Sequence, residues 1–403
     1  MNRSRSHVSG AFSGGWSGAH IARLVGDRSA ITDRRTGGCW RAVLAGSLLG
    51  GLMVLIPATV VQAASSTSEA SEVYVAMDPS SSPELDVIDS TTGAVIGSPI
   101  PLAEEATALA DYTRFRSAVS EVLAVEDDEI QEVDPATDAV STGVSLAAAP
   151  TGVVVADQSP TQHYALVLEP STDKVQVVDL DTSPISVVQS VSLGFSSGDP
   201  SAIAMNNVSN SNAYVTDATS HQVVTLEYDS TSTPFEVEST YTGSSSFDPG
   251  SIVFDQAYDE TLVSTGADVE LSDVSGGAYS APTTDIDVAC GTGLQAGDLT
   301  LNDSSGANAF VQEPSSDYTG DISLSADDLA ACMASSFTAG PVALADDGGV
   351  LAEAGATASS LDLFDTQAAS VGYIENTVSL PGPATAIAEA GRSCLLRDRP
   401  WCP

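Results

Sequence analysis

Basic side chains are almost missing from this chain beyond its first 63 positions. Lys174 is the one lysine of the whole sequence, and Arg114, Arg116, Arg392, Arg397 and Arg399 are the arginines that follow the leader. Residues 1–63 hold seven of the 13 basic and two of the 54 acidic residues, which leaves six against 52 and a formal charge of −46 for the remainder. Such a surface repels nucleic acid and anionic lipid, so neither is an expected partner. The excess suits a salty medium, where charge is screened, or an acidic one, where carboxylates are protonated, and both readings stand at this point.

Histidine is nearly as scarce: only His163 and His221 follow the leader, and each is expected to serve structure or surface. Two non-equivalent histidines are too few for a copper or haem centre, and with no C-x-x-C and so little histidine a Cys/His metal site is not expected. The abundant serines sit in loop stretches such as GSSSF (243–247) and SSTSEAS (65–71), not in the strand-to-helix turn of a serine hydrolase's nucleophile elbow. The acidic runs EDDE (126–129), DLD (179–181) and ADDG (345–348) lack the D-x-D-x-D-G order of a calcium loop, and composition explains them. The expectation is therefore no catalytic, cofactor-binding or metal-binding residue and no cofactor.

What the first 63 residues contain is a basic flank, Arg3 to Arg41, followed by the apolar stretch AVLAGSLLGGLMVLIPATVVQAASS. This reads as an export signal, cleaved after Ala63 or close by; uncut, its roughly 20 apolar residues would anchor the chain in a bilayer. Arg34-Arg35 stands among Asp33, Gly37 and Cys39, unlike a twin-arginine signal. Four of the five cysteines, Cys290, Cys332, Cys394 and Cys402, lie in the exported part. An even number there favours disulfides. Of the three pairings, 290 with 332 and 394 with 402 is preferred because each is local.

A period organises the rest. LDVIDSTTG, IQEVDPATD and VQVVDLDTS place Asp89, Asp134 and Asp179 at intervals of 45 residues, and weaker copies put Glu227, Asp273, Ser325 and Asp365 at the same place. Ahead of each sits a short alternating run: SEVYVAM, SEVLAVE, HYALVLE, NAYVTDA, ETLVSTG, NAFVQEP and GVLAEAG. Earlier still comes another apolar stretch, usually opened by proline, at 150, 200, 249, 341 and 383; two units open instead with ATALAD (106) and GDLTLN (297). The aspartates occupy turns at the ends of third strands, where an Asx turn explains them better than a carboxylate ring.

Seven units of four short strands, with no convincing helical periodicity beyond the leader, predict an all-β seven-bladed β-propeller of four-stranded antiparallel blades. The first unit lacks a first strand, and PATAIAEAG (383–391) is a first strand with no unit behind it. The C-terminal strand is therefore expected to close the ring. The domains are 1–63 leader and export signal, 64–70 linker, 71–391 propeller and 392–403 tail. The tail, GRSCLLRDRPWCP, resembles the start of another second strand.

VYVAMDPSSSPELDVIDSTTGAVIGSPIPL, with its tyrosine-containing strand, V-x-V-I-D strand and T-G turn, resembles the YVTN-type seven-bladed propeller repeat family, seen also in surface-layer and lactonase-like propellers. The resemblance spans roughly 71–391 and implies a fold that hosts binding, scaffolding and enzymatic roles alike. TRFR (113–116) concentrates two of the exported arginines in one loop, where they would meet an anion or pair with Glu104, Glu105 or Asp111. The expected function is an exported, non-catalytic binding or scaffold propeller, secreted or at the cell surface. It would be a monomer taking a protein, glycan or small-molecule ligand at one mouth and touching no membrane beyond an N-terminal anchor. The alternatives are a lactonase-like hydrolase and a purely structural envelope repeat protein.

Overall fold

The computed structural model describes residues 72–389 apart from 78–81, 114–119, 135–136, 160–161, 196–198, 208–210, 230–233, 267, 289, 291–295, 303–307, 315, 346–348 and 367–372. The leader, the linker, the tail with Cys394 and Cys402, Arg114, Arg116 and most of ADDG lie outside the described residues.

Seven antiparallel sheets follow one another along the chain, and the seven-bladed reading holds. The innermost strands, in blade order, are Ala384–Glu389, Ala108–Thr113, Gly152–Ser159, Pro200–Met205, Pro249–Asp255, Leu299–Leu301 and Ala339–Ala345; each touches the next, and the last touches the first. Ring closure comes from the C-terminal strand. Val73 lies opposite Glu389, Val75 opposite Ile387 and Met77 opposite Ala384, which completes blade 1 around Glu72–Met77.

Alternation along the second strands explains why the ring coheres. Side chains of successive strand residues point to opposite faces. Tyr74, Leu123, Leu166, Tyr214, Leu262, Phe310 and Ala352 all face the following blade, while Val73, Val122, Ala165, Val215, Val263, Val311 and Leu351 face the preceding one. Seven apolar clusters result, one at each junction between blades. A lone sheet of this kind would leave both faces wet; stacking it in a ring buries them.

Hydroxyls reinforce the junctions near the axis. Thr385 Oγ1 donates to the Ala106 carbonyl at 2.7 Å, Thr107 Oγ1 to that of Pro150 at 3.0 Å and Thr216 Oγ1 to that of Gly250 at 2.6 Å, in each case bridging one blade to the next.

The repeated aspartates do what their turns require. Asp89 Oδ1 accepts the N–H groups of Thr91 and Thr92, Asp179 that of Asp181, and Asp273 that of Ser275. Asp89→Ala is expected to cost about 1 kcal/mol, because the two exposed N–H groups can turn to water; Asp89→Asn should cost less. Urea denaturation would measure both.

Two details depart from the sequence reading. In blade 6 the third strand is Tyr318–Ser323 and Asn308 pairs with Ser323, so Ser323, not Ser325, takes the aspartate place. Pro341 does not open its strand, which begins at Ala339; it falls where the register skips between Ala339 and Val342, so its missing N–H disturbs no ladder bond.

Outer strands are kinked at one recurrent place. In blades 3, 4, 6 and 7 the pairing of third and fourth strands skips one residue, Val188, Glu238, Ala330 and Glu375 respectively, and blade 1 slips close by. Each skip is a β-bulge that bends the outermost strand.

Candidate functional site

Seven crossovers and the turns between second and third strands form one mouth of the ring; the remaining hairpins form the other. At the crossover mouth, the residue that follows or ends the second strand is a buried carboxylate in four blades: Glu126, Glu169, Asp217 and Glu313. Their function is visible in what they hold. Glu169 Oε1 accepts the N–H groups of Ala147 and Ala148, on the crossover from blade 2, while Oε2 takes Thr172 Oγ1 and Gln176 Nε2. Glu126 Oε2 accepts Glu104 N–H at 2.9 Å, and Glu313 Oε1 accepts Cys290 N–H at 2.8 Å.

Blade 7 achieves the same contact one strand further out: Asp362 Oδ2 accepts both N–H and Oγ of Ser336. Asp173, half-buried in a left-handed turn position that a short polar side chain tolerates, instead holds the Gly194 N–H on the crossover that leaves its own blade, at 3.0 Å. Buried carboxylates thus clasp the incoming crossover to the blade that receives it.

Burial sets the proton affinity of these groups. Desolvation raises Glu126 to about 7 and Asp86 to about 6, and it raises Glu313 and Glu353 as well. Asp298, which immediately precedes the inner strand of blade 6, is raised by desolvation too.

The two histidines sit at opposite mouths. His221, in a left-handed turn, donates from Nδ1 to the Phe247 carbonyl at 2.6 Å and fastens the crossover into blade 5. His163 opens onto the hairpin mouth, with Nδ1 2.9 Å from Asp181 Oδ1 and Nε2 3.8 Å from Asp157 Oδ1. Asp181 Oδ2 also accepts the His163 backbone N–H, so this aspartate fixes the ring's position through both of its oxygens. Asp157, on the inner strand, is raised first by desolvation, with His163 pulling the other way. No described hydroxyl or thiol bonds to the free side of His163. The pair acts as a clamp between an inner strand and a turn.

Cys290 and Cys332 are bonded, with Cα atoms 5.7 Å apart, joining the crossover from blade 5 to the outer strand of blade 6. EDDE contributes the Glu126 clasp, and DLD contributes Asp179 to its turn and Asp181 to His163. Among the described residues no three His, Cys, Asp or Glu side chains converge as a metal ion would need.

The clasps were missed by sequence reasoning although the signal is in plain view. SEVLAVE, HYALVLE, NAYVTDA and NAFVQEP carry an acid in one column, directly after the second strand. A mid-strand polar column, Asp86, Gln131, Gln176 and Asp362, sits within LDVID, IQEVD, VQVVD and LDLFD.

No family model and no curated protein matches the chain. Solved structures do. A candidate 6-phosphogluconolactonase from Bacteroides fragilis superposes with a TM-score of 0.66 at 9% identity, covering 81% of this chain and 99% of that one. The periplasmic gluconolactonase of Pseudomonas aeruginosa gives 0.64 at 15% identity over 80% and 99%. A functionally unknown protein from Desulfotomaculum acetoxidans gives 0.63 at 13% identity, again over 80% and 99%. At such identities the likeness is one of fold.

Proposed function

We propose that this chain is an exported, non-catalytic binding or scaffold propeller built on YVTN-type repeats, working in the secreted phase or at the cell surface. One observation carries the reading: the ionisable groups that recur from blade to blade are consumed by the scaffold. Carboxylates at the second-strand ends of blades 2, 3 and 6 hold crossovers, Asp217 in blade 4 caps its own turn, aspartates after the third strands close turns, and both exported histidines bond to fixed partners. What varies between blades is the crossover, from the short 335–338 to the long 288–298, so ligand selectivity belongs at that mouth. The neighbours of lactonase description share the fold, and a fold of this kind carries many activities.

The test is a parallel screen of the purified exported chain. Gluconolactone and 6-phosphogluconolactone should be hydrolysed no faster than in buffer, while an array of cell-wall glycans and envelope proteins should give saturable binding. Prompt lactone turnover would overturn the proposal. Amino-terminal sequencing of the exported protein should begin just after Ala63.

A further inference from the structure

We propose that Glu126, Gln131 and Glu129 form a one-proton latch on the crossover that leads from blade 1 into blade 2. The inference comes from a comparison between two blades of this molecule. Glu169 and Gln176 occupy in blade 3 the positions that Glu126 and Gln131 occupy in blade 2, with Val167 opposite Gln176 and Ala124 opposite Gln131. In blade 3 the amide donates to the carboxylate, Gln176 Nε2 to Glu169 Oε2 at 3.1 Å, and every oxygen of Glu169 is engaged. Blade 2 differs. Here Gln131 Nε2 donates to Glu129 Oε1 at 2.5 Å, and two oxygens are left buried without a partner: Glu126 Oε1 and Gln131 Oε1.

A buried acceptor that faces only other acceptors is costly, and an oxygen cannot donate to an oxygen without a proton. One proton on Glu126 Oε1, donated to Gln131 Oε1, satisfies both atoms. Turning the amide over would let Gln131 donate to Glu126, but it would break the bond to Glu129 and set the amide oxygen against that carboxylate. A single amide between two carboxyl groups has one donor side and one acceptor side. The closed state therefore carries its proton on Glu126.

The surroundings favour that proton. Glu126 is fully buried; among the described residues the charged groups facing it are Glu104 on the crossover and Glu129 on the third strand, both acidic, and none is basic. Asp127 and Asp128 of the same turn are exposed, and Glu129 lies over Gly143, which brings no charge. Desolvation holds Glu126 at about 7, against an ordinary value of 4.5. With this pKa raised in the folded state, the closed latch is fully favoured below about 4.5 and loses ground as pH rises to about 7. What it holds is the Glu104 N–H, and also that of Ala103, at the crossover mouth.

The test is amide exchange of residues 103–104 in the exported chain, corrected for intrinsic rates, together with infrared difference spectra. Between pH 5.5 and 8.5 protection at Glu104 should fall roughly 10- to 100-fold. In Glu126→Gln, whose amide donates to Gln131 at any pH, protection should stay level. The wild-type spectrum should show a protonated carboxylic acid that disappears near pH 7 and is missing in Glu126→Gln or in Glu129→Gln. Protection that ignores pH, or a protonated acid present in both variants, would overturn the latch; the spectrum of the unaltered protein needs no variant to fold. Neither outcome bears on whether the chain binds or hydrolyses a ligand.

Discussion

A chain shortened to end at Leu380 is expected to lose its cooperative fold. The missing strand, Ala384–Glu389, is the innermost of blade 1 and lies against the inner strands of blades 7 and 2. Ala386 and Ala388 pack with Tyr74, Leu109 and Val122 on one side, and Ala384 packs with Val73, Val75, Leu361 and Leu363 on the other. Thr385 bridges to the Ala76 and Ala106 carbonyls. Net hydrogen bonds contribute about 1 kcal/mol each and apolar burial about 25 cal/mol per Å². Losing a paired strand and opening two clusters thus removes on the order of 5 kcal/mol or more, which approaches the whole stability of an ordinary domain. The shortened chain should show a broad thermal transition and exchange its amides quickly, and a peptide spanning 381–391 added in trans should restore the sharp transition. An unchanged melt would mean that the ring does not depend on its last strand.

The second large effect is expected at the disulfide. Cys290 and Cys332 are 42 residues apart, and closing a loop of that size is worth about 4 kcal/mol in the chain-entropy view, with 2–4 kcal/mol the usual range. The bond also staples the long crossover 288–298 close to where Glu313 accepts the Cys290 N–H. The double variant Cys290→Ser, Cys332→Ser is therefore expected to melt roughly 5 °C or more below the parent chain. Reductant should reproduce the shift in the parent and do nothing to the variant. Equal melting of the two would show that these thiols do not pair in solution.

Much of this was legible beforehand, for a physical reason: a strand whose two faces both meet neighbouring blades must repeat its apolar pattern, and a third strand that ends in a tight turn favours aspartate. Asp89, Asp134 and Asp179 therefore announced the ring. Blade 6 was blurred because Gly320 stands in the middle of its third strand, with Val311 Cγ1 and Leu329 Cδ1 about 3.0 and 3.1 Å from where a Cβ would lie; a larger residue would require both side chains to give way, and the V-x-V signature breaks there. The local pairing of Cys290 with Cys332 could be foreseen from spacing. The clasps could be located from their acid column but not understood from it. Glu126 and Glu169 look like two more acids in an acidic chain, and their meaning depends on a crossover that begins about 22 residues earlier and arrives from another blade. The same holds for Gln131, whose role appears only when its hydrogen bonds are set beside those of Gln176.

The recurrent skip in the outermost strands also governs how whole molecules meet. An unbent rim would offer every passing copy a straight row of free N–H and C=O groups, an invitation to edgewise growth into fibrils. A kink at Val188, Glu238, Ala330 and Glu375 interrupts that row midway on four of the seven blades, and two of the kinked residues add a negative charge at the break. Copies of this protein can accordingly be crowded against one another while each keeps its own sheets to itself.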